Sequence, residues 1–206
     1  MGGGAALVTR HPGSRMSAPG SRAQELLRRD RAVLVVVDLQ EKLLPVIVGR
    51  ERVVKNSLLL MRLAEILKLP VVLTSQYKKG LGEIVPEVRG AAPGVEPLDK
   101  VSFGCFGDEG FLSRLRALSG RDQLVVTGIE CHICVAQTVL GALDQGYQVH
   151  LVSDAVGSRA EENYRTGLAR MERAGALVSS AEMAIYELLG RSDSDAFKKM
   201  LPHLKE

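Results

Sequence analysis

Short, unbroken apolar runs recur along this chain, and stretches with helical spacing separate them. Ala32–Val37 reads AVLVVV. It is too short for a buried helix and rich in β-branched residues, as expected of a strand covered on both faces. Pro70–Thr74, Leu124–Thr127 and Tyr147–Val152 repeat the pattern, with a weaker run at Val95–Leu98 and a short one at Ala176–Ser179. In Glu51–Leu67, Val54, Leu58, Met61, Leu63, Ile66 and Leu67 alternate with charges at helical spacing. Asp108–Leu118 starts acidic and ends basic, which suits a helix dipole. Cys131–Gln145 and Glu161–Ala174 are helices closed by Gly146 and Gly175, and Ala181–Leu189 and Asp195–Leu204 read as terminal helices. Strands that are apolar throughout, alternating with helices, predict a doubly wound α/β domain with a parallel sheet and helices on both faces.

At 206 residues the chain suits one such domain, placed here at 31–206. Residues 1–30 read as a tail, because the first 23 carry Arg10, Arg15 and Arg22, no acid and mostly Gly, Ser, Pro and Ala. Without an apolar core this stretch does not read as a secretory signal; an organelle transit peptide is the alternative, and Met16 offers a second start. Three cysteines in a chain this long argue against a disulfide framework and for a reducing compartment, the cytoplasm, or the mitochondrion if the basic start is a transit peptide. A net charge of +3 with scattered bases and no Trp gives little support for nucleic-acid binding, and no apolar run is long enough for a membrane span. The apolar circumference of Leu58–Leu67 and of Cys131–Leu143 predicts self-association into a homo-oligomer.

In folds of this class, ligands bind beyond the carboxyl ends of the strands. Three reactive side chains fall there: Asp38 after the first run, Lys100 after the third and Cys134 after the fourth. Cys134 is expected in the first turn of a helix, where the dipole favours thiolate. A cysteine nucleophile, a carboxylate that takes its proton and a lysine that stabilises both anions would make a hydrolase. Each residue also has a structural reading: Asp38 as a cap, Lys100 as a solvated loop lysine, Cys134 as a small buried group.

Six segments in order carry a resemblance: VVVDLQEKL (Val35–Leu43), TSQYKKGLG (Thr74–Gly82), LDKVSF (Leu98–Phe103), TGIECHICVAQT (Thr127–Thr138), VHLVSDAVGSR (Val149–Arg159) and SSAEMAIYELL (Ser179–Leu189). From about Arg31 onward the chain resembles the isochorismatase-like cysteine hydrolases, and within them the isochorismatase domain-containing proteins. The resemblance implies a six-stranded parallel sheet and a triad of Asp38, Lys100 and Cys134. It also implies a cis peptide at Ile129–Glu130 that aims the N–H groups of Glu130 and Cys134 at the substrate oxygen. Gln40, Gln76, Tyr77, Phe103, Cys131 and Arg159 are the candidates for the wall of a small-molecule pocket. Phe103, Phe106 and Phe111 form a cluster that is either pocket or core, and Arg159 could meet a carboxylate.

The metal-dependent nicotinamidases of this superfamily carry an Asp and several His after strand two. Gln76-Tyr77-Lys78 stands there instead, so no metal and no cofactor are expected. Cys131 occupies a position where relatives often have Thr or Ala. With Cys134 it forms a C-x-x-C, which leaves a dithiol redox protein as one alternative and a catalytically idle scaffold as another. His132, two residues from Cys134, should point away from it, and His11, His150 and His203 read as surface or satisfied histidines.

Overall fold

The structure is a computed structural model and describes residues 25–205. Its sheet has six parallel strands: β1 (Ala32–Val37), β2 (Val71–Gln76), β3 (Leu98–Lys100), β4 (Gln123–Ile129), β5 (Gln148–Gly157) and β6 (Leu177–Ser179). Their order is β3-β2-β1-β4-β5-β6, so the chain builds outward from β1 and then restarts beside it at β4. The helices are α1 (Arg50–Leu67), α2 (Lys78–Leu81), α3 (Pro86–Gly90), α4 (Glu109–Arg116), α5 (Ala136–Asp144), α6 (Glu161–Arg173), α7 (Ala181–Leu189) and α8 (Asp195–Leu204).

The unbroken apolar strands are explained by two cores. Leu34 and Val36 of β1 join a cluster with α1, α7 and α8, while Val33, Val35 and Val37 join another with α4, α5 and α6. Successive side chains point to opposite faces, so a strand packed on both must be apolar at every position. Caps define several helix starts: Asp108, Ser180 and Ser194 accept the N–H groups of Phe111, Met183 and Phe197 through their side chains. Residues 25–30, assigned from sequence to the tail, are tied to the domain. Leu27 is buried, its N–H donates to Glu187 Oε2 at 2.9 Å, and Arg29 donates to the carbonyls of Leu188 and Leu189.

Three elements differ most from their expected extents. β3 is Leu98–Lys100, not Val95–Leu98. The Val95 N–H is spent on the Ala92 carbonyl in the preceding turn, and the ladder to β2 pairs Leu98, Asp99 and Lys100 with Thr74, Ser75 and Gln76. β5 continues past Val152 to Gly157, rejoining β4 after a register shift between Val126 and Gly128. Cys131–Val135 is a π-turn, so the α-helix begins only at Ala136.

The β1–β4 pairing leaves no room for a side chain at Gly128, which faces Val37. Gly128 has φ of 114°, and a Cβ there would overlap the Val37 carbonyl.

Candidate active site

Asp38 follows β1 directly, with its backbone in the left-handed region at φ 51°. Its Oδ1 accepts the Thr74 hydroxyl at 2.7 Å and its Oδ2 accepts Lys100 Nζ, also at 2.7 Å. Lys100 closes β3, one strand beyond Thr74. Its ammonium also donates to Gln76 Oε1 at 2.8 Å and to the carbonyls of Phe103 and Ser102 at 3.0 and 3.3 Å. An ammonium has three protons, so these acceptors satisfy it without water. Asp38 and Lys100 are 0% and 1% exposed. Lys100 is therefore no solvated loop lysine; the pair lies inside the packing.

Cys134 completes the group from across the switch in strand order. Its side chain is buried, close enough to Asp38 and Lys100 for both charges to act on it. Burial pushes its thiol up to about 12; the Asp38 charge adds to the rise and Lys100 opposes it. The expected thiolate bias of a helix start therefore does not describe the resting site. The thiol sits in the π-turn ahead of α5, and its loss of hydration outweighs what the dipole and the lysine return. Burial thus favours the thiol over the thiolate beside Asp38.

The peptide Ile129–Glu130 is cis, as the resemblance implies. The Glu130 side chain is 4% exposed and pairs with Arg159, whose Nη2 lies 2.5 Å from Oε1 and whose backbone N–H donates to Oε2 at 3.0 Å. Burial pushes the Glu130 carboxyl up, but the bonds and charge of Arg159 prevail and hold it below the ordinary range. The carboxylate that Arg159 meets is thus Glu130's own.

The other pocket candidates divide. Gln40 spends its amide on β2: Oε1 accepts the Gln76 N–H at 2.7 Å, and Nε2 donates to the carbonyls of Gln76 and Gly82. Gln76 in turn holds Lys100 through Oε1 and the Val101 carbonyl through Nε2. Both glutamines brace the charged pair. Tyr77 and Phe103 are about half exposed beside it. Phe111 is core, edge-to-face with Phe106 at 5.3 Å, so the three phenylalanines do not act as one wall.

Cys131 is buried and its Sγ faces the Tyr164 carbonyl at 3.7 Å. Burial pushes its thiol up to about 12. The two sulfurs of the C-x-x-C therefore serve different neighbours, α6 for one and Asp38 for the other, and all three cysteines are free. His132 faces Ser158 at 2.9 Å. His150 is not a surface or satisfied histidine. It is buried, its Nε2 has no hydrogen-bond partner, and Glu187 lies 4.0 Å from its Nδ1. His11 lies outside the described residues. Among the described residues no His, Cys, Asp and Glu cluster could hold a metal ion, and no helix is long and apolar enough to cross a membrane. Sequence reasoning passed over Thr74, a buried hydroxyl at the hydrogen-bonding distance from Asp38; only the β1–β2 register brings it there.

Residues 32–183 match the isochorismatase domain. Isochorismatase domain-containing protein 2 of Danio rerio is 35% identical over 175 residues, 84% of this chain and 87% of that protein. The MAR1 ribonuclease structure from Caenorhabditis elegans superposes with a TM-score of 0.83 at 32% identity, covering 88% of this chain and 93% of that one. The YcaC gene product of Escherichia coli, described as an octameric hydrolase of unknown specificity, superposes with a TM-score of 0.80 at 26% identity, covering 92% and 95%. Fold, domain match and relatives agree: this chain belongs to the isochorismatase-like hydrolase family.

Proposed function

We propose that the protein hydrolyses a small amide or a related small molecule through a covalent Cys134 intermediate, without a metal. The carrying observation is the shared carboxylate: Asp38 accepts Lys100 at one oxygen and borders the Cys134 thiol. As Cys134 Sγ bonds to the substrate carbonyl carbon, its proton passes to Asp38. Lys100 stays charged beside both groups and offsets the negative charge that builds on sulfur and on the carbonyl oxygen. N–H groups of the Glu130–Cys134 turn receive that oxygen. Asp38 then protonates the departing amine, and the C–N bond breaks to leave a thioester. Water gives its proton to Asp38 and attacks the thioester, releasing the acid and restoring the thiol.

The octameric YcaC relative supports assembly of this chain into a homo-oligomer as well. The test of the function is a panel of small amides, with RNA included because one structural relative bears a ribonuclease's name. Amide turnover with a Cys134 acyl adduct trapped by mass spectrometry is expected. RNA cleavage without amide turnover, or turnover undiminished in Cys134→Ala, would refute the assignment.

A further inference from the structure

Thr138 lies one turn past the π-turn and is fully buried. Its hydroxyl donates to the main-chain carbonyl of Cys134 at 2.7 Å and accepts the backbone N–H of Cys105 at 3.0 Å. These two partners belong to opposite arms of the site. Cys134 arrives from β4. Cys105 opens a single 3-10 turn, Cys105–Gly107, at the end of the segment whose Ser102 and Phe103 carbonyls hold the Lys100 ammonium.

The arms touch at this point without slack. At Gly104, a Cβ would come within 2.9 Å of the Gln137 Cβ, so the lysine-holding segment already rests on the first turn of α5. A threonine hydroxyl has one proton to give and can accept through its lone pairs. Here the proton goes to the nucleophile's own carbonyl and a lone pair takes the N–H from the other arm.

We infer that Thr138 is a positioning residue, its hydroxyl being the joint that sets the Cys134 thiol against the Lys100–Asp38 pair. This rests on the reading of Cys134 as nucleophile. Without the joint, the π-turn and the Lys100 segment meet only through packing, and the proton transfer from sulfur to Asp38 loses its set distance. Misplacement of about 1 Å in a reacting group can cost on the order of a hundredfold in rate.

The test is alkylation of Cys134 by iodoacetamide across pH, read residue by residue by mass spectrometry, in wild type, Thr138→Val, Thr138→Ala and Thr138→Ser. Valine keeps the shape and removes both hydrogen bonds; alanine carries the test if valine prevents folding, which circular dichroism reports; serine keeps the hydroxyl. Val or Ala should slow Cys134 labelling by about tenfold or more and displace its pH profile, while Ser retains the wild-type curve. A folded Val or Ala variant with the wild-type curve would overturn the inference, as would a Ser variant that behaves like Val. Wild-type Cys134 that stays inert while Cys105 reacts would instead refute the nucleophile reading, and the inference with it.

Discussion

Two ion pairs stand at the carboxyl ends of the strands, and they are built on opposite plans. Lys100 and Asp38 are both enclosed, at 1% and 0% side-chain exposure. Glu130 is enclosed too, at 4%, but its partner Arg159 is 55% exposed. In the first pair neither charge can fall back on water. In the second, the arginine can. A buried pair is seldom a gain in stability over apolar packing, because both ions lose hydration, yet breaking it from one side leaves a charge stranded. The enclosed pair fits a chemical duty beside the Cys134 thiol, and the half-open pair fits a fastening one, holding the segment after β5 to the cis Ile129–Glu130 turn.

The largest expected effect separates the pairs by activity. Asp38→Asn removes the proton acceptor while keeping the shape, and hydrolysis should fall by about 10²–10⁴-fold. Lys100→Met should lose about 3–5 kcal/mol in urea unfolding by leaving Asp38 buried without its cation, and Cys134 should alkylate only at higher pH, because Lys100 is the charge that lowers its thiol. Superimposable alkylation curves in wild type and both variants would dissolve the distinction, since neither residue would then sense the thiol.

A smaller effect should expose the asymmetry of the second pair. Arg159→Met strands the Glu130 carboxylate and should cost about 1–3 kcal/mol. Glu130→Gln releases an arginine that already reaches solvent and should cost no more than about 1 kcal/mol. Equal losses in chemical denaturation would show that Arg159 is as dependent on the interior as Lys100 is.

The smallest effect belongs to neither pair and tells acid sensitivity of the fold from that of the site. Burial lowers the pKa of His150, against a weaker opposing pull from Glu187. The unfolded chain takes up that proton near pH 6.5, where the folded chain does not, so stability should fall as the pH drops below about 6.5. His150→Gln should flatten this part of the unfolding profile without changing Cys134 alkylation. An unchanged slope would remove His150 from the account.

The sheet was legible wherever packing alone dictates sequence. Ala32–Val37 and the terminal helices Ala181–Leu189 and Asp195–Leu204 fall where the pattern puts them, since each answers to burial and caps. β3 was displaced because its own residues are not apolar: Asp99 accepts the Ser75 hydroxyl and the Lys78 N–H, and Lys100 faces Asp38. There a reactive residue occupies a strand position, and hydrophobic periodicity is blind to it. The far half of β5, with Ser153 and Asp154, was hidden for a similar reason. Position along the chain pointed to Asp38, Lys100 and Cys134, and the structure gathers them. It was silent on Thr74 and Thr138, whose partners come from other strands and turns, and on the burial that pushes the Cys134 thiol up, because burial depends on everything packed around the sulfur.

Gly128 carries a consequence for how such a chain can change over generations. Hydrogen is the largest substituent its position admits against the Val37 carbonyl. A drifting lineage could exchange Tyr77, Phe103 or other half-exposed neighbours of the site and explore new substrates. It could not try the same at Gly128 without prising β4 from β1 and carrying Cys134 away from Asp38. The freedom to diversify at the rim is thus underwritten by a position that touches neither sulfur nor carboxylate and has nowhere to go.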